Sequence, residues 1–182
     1  MPRIAPLEAP YPQDVVDTFS RLMPPGMEPL SLFRTLAHNP RVLRRIQRSG
    51  LLDPGSISVR QREIVILRSC AQCDAHYEWG VHATLFGGTA GLDDAQLEAT
   101  WTGLELESWT DDERALLRLC DELHETSRVS DATWASVHEH FEDAACIELV
   151  TLAGLYHAVS FLVNVTEVAA EPWARKPPAR LS

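Results

Sequence analysis

Apolar residues recur at helical spacing along nearly the whole chain, and no run of residues alternates between apolar and polar as a β-strand does. The pattern predicts helices over about 13–23, 30–38, 40–49 and, longest of all, 144–170. The first two are separated by Pro24-Pro25-Gly26, a run that ends helices. The chain is therefore predicted to be an all-α protein, a compact multi-helix domain.

Start signals for further helices lie between these segments. Thr110 and Glu113 match a capping box, in which each side chain satisfies a backbone N–H group of the other residue. Three more predicted helices begin at N-cap candidates: Ser58, Asp93 or Asp94, and Ser130 or Asp131.

The length and composition are sufficient for one domain with its own core. The chain has 182 residues, of which 45% are hydrophobic and 23% charged. We predict a single domain over 1–182, with its core at about 25–170, an irregular N-terminal arm and a proline-rich C-terminal tail. The net charge of -10 argues against a nucleic-acid partner, because phosphate binding requires clustered cations.

Sequence signals for membranes and export are lacking. No run approaches the roughly 20 apolar residues of a membrane span, and the first residues do not resemble a signal peptide. We therefore expect no membrane partner and a cytoplasmic location, where thiols stay reduced. Cys120 and Cys146 stand alone in apolar helical patterns and are interpreted as core residues. Cys70 and Cys73 remain available for redox or metal chemistry.

Segment 62–82 concentrates the groups that titrate or react. It holds six candidate catalytic residues: Glu63, Cys70, Cys73, Tyr77, Glu78 and His82. One unbroken helix would place both thiols on a stripe with Glu63 and Tyr77. A break near 69–73 would instead place Cys73 or Asp74 at a helix N-terminus, where the dipole lowers the pKa of a thiol. The sequence leaves both geometries open.

Other interpretations of this segment compete with catalysis. The two thiols suit small core residues, and Glu78 with His82 suits an ordinary i,i+4 surface pair. Cys70, Cys73, His76 and His82 are residue types that ligate zinc, but their spacing is not that of a common structural site. We therefore predict no metal site.

Histidines elsewhere carry weaker signals. His138 and His140 point to different faces of a helix, which disfavours a shared metal. His38, His124 and His157 stand alone and are interpreted as structural. No glycine-rich phosphate loop is present, so no cofactor is predicted.

Two motifs resemble a known family. Arg-Glu-Ile-Val-Ile-Leu-Arg at 62–68, followed by Tyr77-Glu78-Trp79-x-x-His82, is similar to the carboxymuconolactone decarboxylase and alkylhydroperoxidase-D-like superfamily. The flanks Leu-Phe-Arg-Thr-Leu-Ala-His-Asn-Pro at 32–40 and Ala-Gly-Leu at 90–92 fit as well. The resemblance implies an all-α fold, a homo-oligomer built on trimers or hexamers, a pocket near subunit contacts and no organic cofactor.

The peroxidase branch of this superfamily carries the motif E-x11-C-x2-C-x3-H, in which the Glu and His relay protons to the thiols. Glu63 and His82 are nineteen residues apart, as this motif requires. Its two cysteine positions fall on Ala75 and Glu78, whereas the CxxC pair of this chain begins five residues earlier, at Cys70. The acid and the imidazole match by position, and the thiols match only by residue type.

The residues and the resemblance together favour a small-molecule enzyme that reduces peroxides or disulfides, a peroxiredoxin-type antioxidant activity. Cys73 would be the attacking thiolate, Cys70 the resolving partner, and Glu63 with His82 the proton relay. The alternative is a lyase of the carboxymuconolactone decarboxylase type, in which Glu78 and His82 act on a carboxylated lactone. A third hypothesis is a non-enzymatic helical oligomer that senses oxidation through the two thiols.

Overall fold

The computed structural model describes residues 1–179, and this part of the chain is helical throughout its core. The predicted all-α fold is confirmed, and no β-strand occurs within those residues. The last three residues of the predicted 1–182 domain lie outside the described range. The nine helices of residues 1–179 are α1 (Gln13–Leu22), α2 (Ser31–Leu36), α3 (Pro40–Ser49), α4 (Val59–Gln72), α5 (His76–Leu85), α6 (Asp94–Thr102), α7 (Asp111–Thr126), α8 (Asp131–His138) and α9 (Asp143–Thr166).

Helix starts follow the capping residues in the sequence. At α4, the Gln61 backbone N–H donates to Ser58 Oγ at 3.2 Å, and the Ser58 backbone N–H donates to Gln61 Oε1 at 2.9 Å. Before α7, the Thr110 backbone N–H donates to Glu113 Oε2 at 3.0 Å. These bonds satisfy backbone groups that the first turn of a helix leaves unpaired. Both helices therefore start where the capping pattern predicts.

α4 is the centre of the fold because other helices cover it on nearly every side. Ten of its 14 residues are buried, and residues 64–67 are wholly inaccessible to solvent. The helix packs against α5, α6, α7 and α9. A helix surrounded in this way is a core element. Its polar residues Glu63 and Ser69 are consequently held in the interior.

The chain breaks between α4 and α5. Cys73 is the C-cap of α4, Asp74 adopts a left-handed backbone conformation with φ of 54°, and Ala75 is the N-cap of α5. Cys73 therefore lies at the C-terminal end of a helix. The unbroken helix is therefore wrong. The break occurs, but it leaves Cys73 at the end of α4, and it is Asp74 that directly precedes the N-cap of α5. The C-terminal end of a helix carries partial negative charge and disfavours a Cys73 thiolate.

α9 is the longest helix of the described residues, with 24 residues. By length and composition alone it could cross a membrane, so the expectation that no segment approaches a membrane span is wrong for α9. In this domain it packs against α4, with Leu149, Leu152 and Tyr156 buried. Core helices of folded domains share such a composition. The helix ends before Glu167, whose left-handed conformation (φ 53°) stops it four residues short of the predicted end.

The burial of α4 can be tested with two valines of the same helix. Val65 is wholly buried and Val59 is 38% exposed. Val65→Ala should lower the free energy of unfolding by about 2 kcal/mol, because it removes two buried methyl groups and leaves a cavity. Val59→Ala should change it by less than about 0.5 kcal/mol. Urea denaturation measures both, and equal effects of the two substitutions would contradict the central position of α4.

Candidate active site

Glu63 and His82 meet in the protein interior. Glu63 lies in α4 and His82 in α5, and His82 Nδ1 is 2.8 Å from Glu63 Oε2. Arg62 Nε donates to the other carboxylate oxygen, Glu63 Oε1, at 3.0 Å. All three side chains are buried. The nineteen-residue separation in the sequence thus corresponds to direct contact in the fold.

The second ring nitrogen of His82 faces two further oxygen atoms. The Tyr156 hydroxyl, from α9, lies 3.1 Å from His82 Nε2, and Glu78 Oε1 lies 3.5 Å from it. Sequence reasoning found Glu78 but missed Tyr156, which is 74 residues from His82 in the chain. The only signal for Tyr156 was a lone phenol in a largely apolar helix. We call Arg62, Glu63, Glu78, His82 and Tyr156 the acid–base cluster.

The surroundings of His82 favour its protonated form. Burial lowers the pKa of His82, but the charge and hydrogen bond of Glu63, followed by those of Glu78, outweigh burial and raise the pKa to about 9. Burial, and then the charges of Glu78 and Glu63, raise the pKa of the Tyr156 phenol. At neutral pH the cluster therefore holds an imidazolium and a neutral phenol. Both ring nitrogens of His82 can then donate hydrogen bonds.

A cavity of about 860 Å³ adjoins the acid–base cluster. Glu78, His82 and Tyr156 line it, whereas Cys70 and Cys73 do not. Most of the remaining wall is apolar, with side chains from α2, α3, α5, α9 and nearby loops: Leu30, Leu32, Phe33, Ile46, Val81, Phe86, Leu155 and Val159. Apolar walls around a few convergent polar groups are typical of small-molecule sites.

A second cavity, of about 370 Å³, lies beside α1 and the loop that follows it. Aliphatic, aromatic and proline residues form most of its wall, and Tyr11 is the titratable side chain among them. It is smaller, and no carboxylate or imidazole among residues 1–179 lines it. The cavity next to His82 is therefore the better candidate for a reaction site.

The two predicted redox cysteines differ in environment. Cys70 is wholly buried, and burial, followed by the charge of Glu78, raises the pKa of its thiol well above the ordinary value. Cys73 is half-buried, and burial raises its pKa as well. The nearby hydroxyl of Ser160 lowers the pKa of both thiols, although its oxygen makes no hydrogen bond of ordinary geometry. Neither thiol is activated by its surroundings.

Tyr77 lies outside the acid–base cluster. Its hydroxyl accepts a hydrogen bond from the Leu32 backbone N–H at 3.1 Å and donates one to Glu171 Oε1 at 2.8 Å. Burial raises the pKa of this phenol. Tyr77 thereby ties α5 to α2 and to the C-terminal tail, a structural position in contrast to the catalytic one that the sequence predicts.

The four residues considered above as zinc ligands, Cys70, Cys73, His76 and His82, do not come together in the fold. His82 is paired with Glu63, while His76 packs edge-on against Trp101, with 4.8 Å between the ring centroids. Cys70 is buried on the interior side of α4. These residues therefore do not converge on one metal position.

Comparisons with known proteins relate this arrangement to a described fold. No protein-family model and no curated protein matches the sequence. Among solved structures, an alkylhydroperoxidase AhpD core, an uncharacterized peroxidase-related protein from Ralstonia eutropha JMP134, matches with a TM-score of 0.80 and 16% identity over 93% of each chain. An uncharacterized peroxidase-related protein from Silicibacter sp. TM1040 matches with a TM-score of 0.77 and 14% identity, also over 93% of each chain.

A third match is the debrominase Bmp8 in complex with 2,3,4-tribromopyrrole, with a TM-score of 0.75 and 14% identity over 93% of this chain and 92% of that one. The chain has the AhpD-like fold. The resemblance stated from the sequence is thus confirmed at the level of the fold. The debrominase shows that the AhpD-like fold also carries chemistry other than peroxide reduction.

The structure locates the two residues, Ala75 and Glu78, that align with the cysteine positions of the peroxidase motif. Ala75 is the N-cap of α5, and Glu78 lies in the first turn of that helix. Glu78 is 7% exposed and faces His82. A carboxylate therefore occupies the helix N-terminus at which the peroxidase motif places a cysteine.

The raised pKa of His82 predicts how stability depends on pH. His82 binds its proton more tightly in the folded protein (pKa about 9) than in the unfolded chain (pKa about 6.5). Its contribution is complete below the unfolded pKa and is lost as pH rises through the folded pKa. The free energy of unfolding should therefore fall between about pH 6.5 and 9, by up to about 1.4 kcal/mol per pH unit.

Urea denaturation at several pH values measures this slope. His82→Gln removes the titrating group and should flatten the profile, whereas His38→Gln, an exposed histidine elsewhere, should leave the slope intact. A slope that persists in His82→Gln would show that another group is responsible.

Proposed function

We propose that this protein is an enzyme that performs acid–base chemistry on a small, largely apolar, anionic substrate in the cavity beside His82. The position of the imidazole carries the proposal. Its Nδ1 is held by Glu63, and its Nε2 side meets Tyr156 and Glu78, both of which line the cavity. An oriented imidazole at the wall of an apolar cavity is suited to proton transfer. An enzymatic role also fits the AhpD-like structures, which include peroxidase-related proteins and a debrominase.

Charge at the cavity suggests an anionic substrate. Two exposed arginines, Arg21 and Arg48, line it together with one exposed carboxylate, Asp53, so cations outnumber anions among its exposed lining side chains. Within residues 1–179 neither guanidinium has a carboxylate partner, in contrast to Arg62 beside Glu63. A guanidinium recognises a carboxylate through paired hydrogen bonds. The cavity volume also suits a molecule of the size of tribromopyrrole, the ligand of the Bmp8 structure.

Decarboxylation of a carboxylated lactone is the reaction that fits these groups best. Loss of CO₂ breaks a carbon–carbon bond and leaves its electron pair on the enolate of the neighbouring carbonyl. The Tyr156 hydroxyl donates a hydrogen bond to the enolate oxygen, and the His82 imidazolium gives its Nε2 proton to the enolate carbon. Glu63 holds the ring in place, and a solvent proton restores His82. The net change replaces a carboxylate by hydrogen and consumes one proton.

Substitution of His82 tests this assignment. On a panel of carboxylated lactones, with CO₂ release as the readout, His82→Gln should lower turnover by about 100-fold or more, because the proton donor is lost. The fold should survive, as circular dichroism can show. His38→Gln and His138→Gln are matched controls that should retain activity.

The pH dependence provides a second readout. The imidazolium is the active form, so kcat/KM should fall as pH rises through about 9. Full activity in His82→Gln would mean that the acid–base cluster is structural.

Thiol-based reduction of peroxides or disulfides is a second candidate, favoured by one observation. Cys70 and Cys73 lie about one turn apart at the end of α4, and the Ser160 hydroxyl lowers the pKa of both thiols against the larger effect of burial. In this reaction the Cys73 thiolate attacks a peroxide oxygen and releases an alcohol or water. Cys70 then attacks the resulting sulfenic acid, releasing water and forming a disulfide, which an external dithiol reduces.

Thiol mapping tests this second candidate. Because Cys73 is half-buried and Cys70 wholly buried, iodoacetamide should label Cys73 faster, as Cys70→Ser and Cys73→Ser variants can show. After mild peroxide, a thiol enzyme yields a Cys70–Cys73 disulfide that mass mapping detects. If both thiols stay alkylatable while peroxide is consumed, the thiol mechanism is wrong.

The same experiment bears on the third hypothesis, a non-enzymatic oligomer that senses oxidation. Oxidation that changes the structure without turnover would support it.

A further inference from the structure

Three metal-ligating side chains that are distant in the sequence converge at the surface of the domain. They are Cys73 at the C-cap of α4, His124 in the last turn of α7 and His157 in the middle of α9. The Cys73 sulfur and one nitrogen from each imidazole lie within 4.8 Å of one another. Sequence analysis interpreted both histidines as structural, because nothing in the spacing relates them. The fold instead places them beside a thiol.

The two imidazoles face each other nitrogen to nitrogen. His124 Nδ1 lies 3.1 Å from His157 Nε2. In a tetrahedral zinc site with bonds of 2.0–2.1 Å, two nitrogen ligands stand about 3.3 Å apart. The observed separation is therefore close to the one that a shared metal ion imposes.

A backbone carbonyl orients one of these rings for coordination. His157 Nδ1 donates to the Ala153 carbonyl at 2.9 Å. With its proton on Nδ1, His157 turns the lone pair of Nε2 toward His124 and Cys73. Metal-binding histidines are commonly held in this way, because a bond from the other ring nitrogen sets the tautomer. The 3.1 Å contact with His124 is made by that same Nε2 atom.

The position leaves room for a metal to enter from solvent. His124 is exposed, and Cys73 and His157 are half-buried. Three protein ligands leave the fourth position of a tetrahedral ion open to water or a small ligand. The thiolate and the two imidazoles select zinc-class ions and not Mg²⁺ or Ca²⁺, which prefer oxygen ligands.

We propose that Cys73, His124 and His157 bind one divalent metal ion of the zinc class, with its fourth coordination position facing solvent. Binding replaces the thiol proton of Cys73 by a metal–sulfur bond, and this proton is released to solvent. The site uses none of the residues of the acid–base cluster and stands independently of the decarboxylation proposal. It shares Cys73 with the thiol candidate, so a bound metal would block the attack of Cys73 on a peroxide.

Titration of the reduced, full-length protein with Co²⁺ tests the site directly. We expect one ion per chain, with a thiolate-to-cobalt charge-transfer band and the intense visible bands of four-coordinate cobalt, and displacement of Co²⁺ by Zn²⁺. Cys73→Ser should abolish the charge-transfer band. His124→Gln and His157→Gln should each weaken binding at least about tenfold, since loss of even an outer-shell partner costs about 10- to 100-fold.

Matched controls separate this site from other thiols and histidines. Cys70→Ser removes the neighbouring thiol of the CxxC pair, and His138→Gln removes an exposed histidine on another helix, and both variants should bind Co²⁺ as the parent does. If Cys73→Ser does not fold, the two histidine variants still decide the question. The absence of a charge-transfer band, or a band and affinity unchanged in both His124→Gln and His157→Gln, would overturn the proposal.

Discussion

The contact between Glu63 and His82 is the interaction on which the rest of the site depends. Two carboxylates, Glu63 and Glu78, are buried with two cations, Arg62 and protonated His82, so the formal charges cancel. A buried charge is tolerated only when it is paired, and removal of one partner typically costs about 3–5 kcal/mol. Because these four groups come from α4 and α5, the turn between the helices is held to one geometry. The charge balance therefore stabilises the turn and orients the imidazole together.

Much of the fold could be predicted from the sequence because local signals decide it. Helical periodicity and caps such as Ser58 determine where helices form. Motif spacing paired Glu63 with His82 as a proton relay, and the fold brings the two side chains into contact. The sequence could not show that Cys73 ends α4 and does not begin α5. The break occurs at Asp74, which adopts a left-handed conformation without a glycine or proline to mark it. Tyr156 was missed because its contact with His82 depends on how α9 packs, which no local pattern encodes.

The two ends of the α4–α5 turn explain why acid–base chemistry fits this chain better than thiol chemistry. The N-terminal turn of α5 carries Glu78, a carboxylate in a position where the helix dipole favours negative charge. The C-terminal end of α4 carries Cys73, where the dipole opposes a thiolate. The chain thus keeps the acid and imidazole positions of the peroxidase motif and adds a carboxylate, Glu78, near His82. Its two thiols lie at the end of α4, before the turn, and not at the start of α5.

Two consecutive residues of α9, Tyr156 and His157, belong to different sites. Tyr156 reaches the buried imidazole of His82, and His157, the next residue, faces Cys73 and His124 near the surface. Side chains of consecutive residues diverge by about 100° around a helix axis, so one rigid element borders both places. A small rotation of α9 about its axis would move the phenol and the imidazole together. The acid–base cluster and the Cys73–His124–His157 cluster are therefore held at a fixed distance by one peptide unit, although they share no side chain.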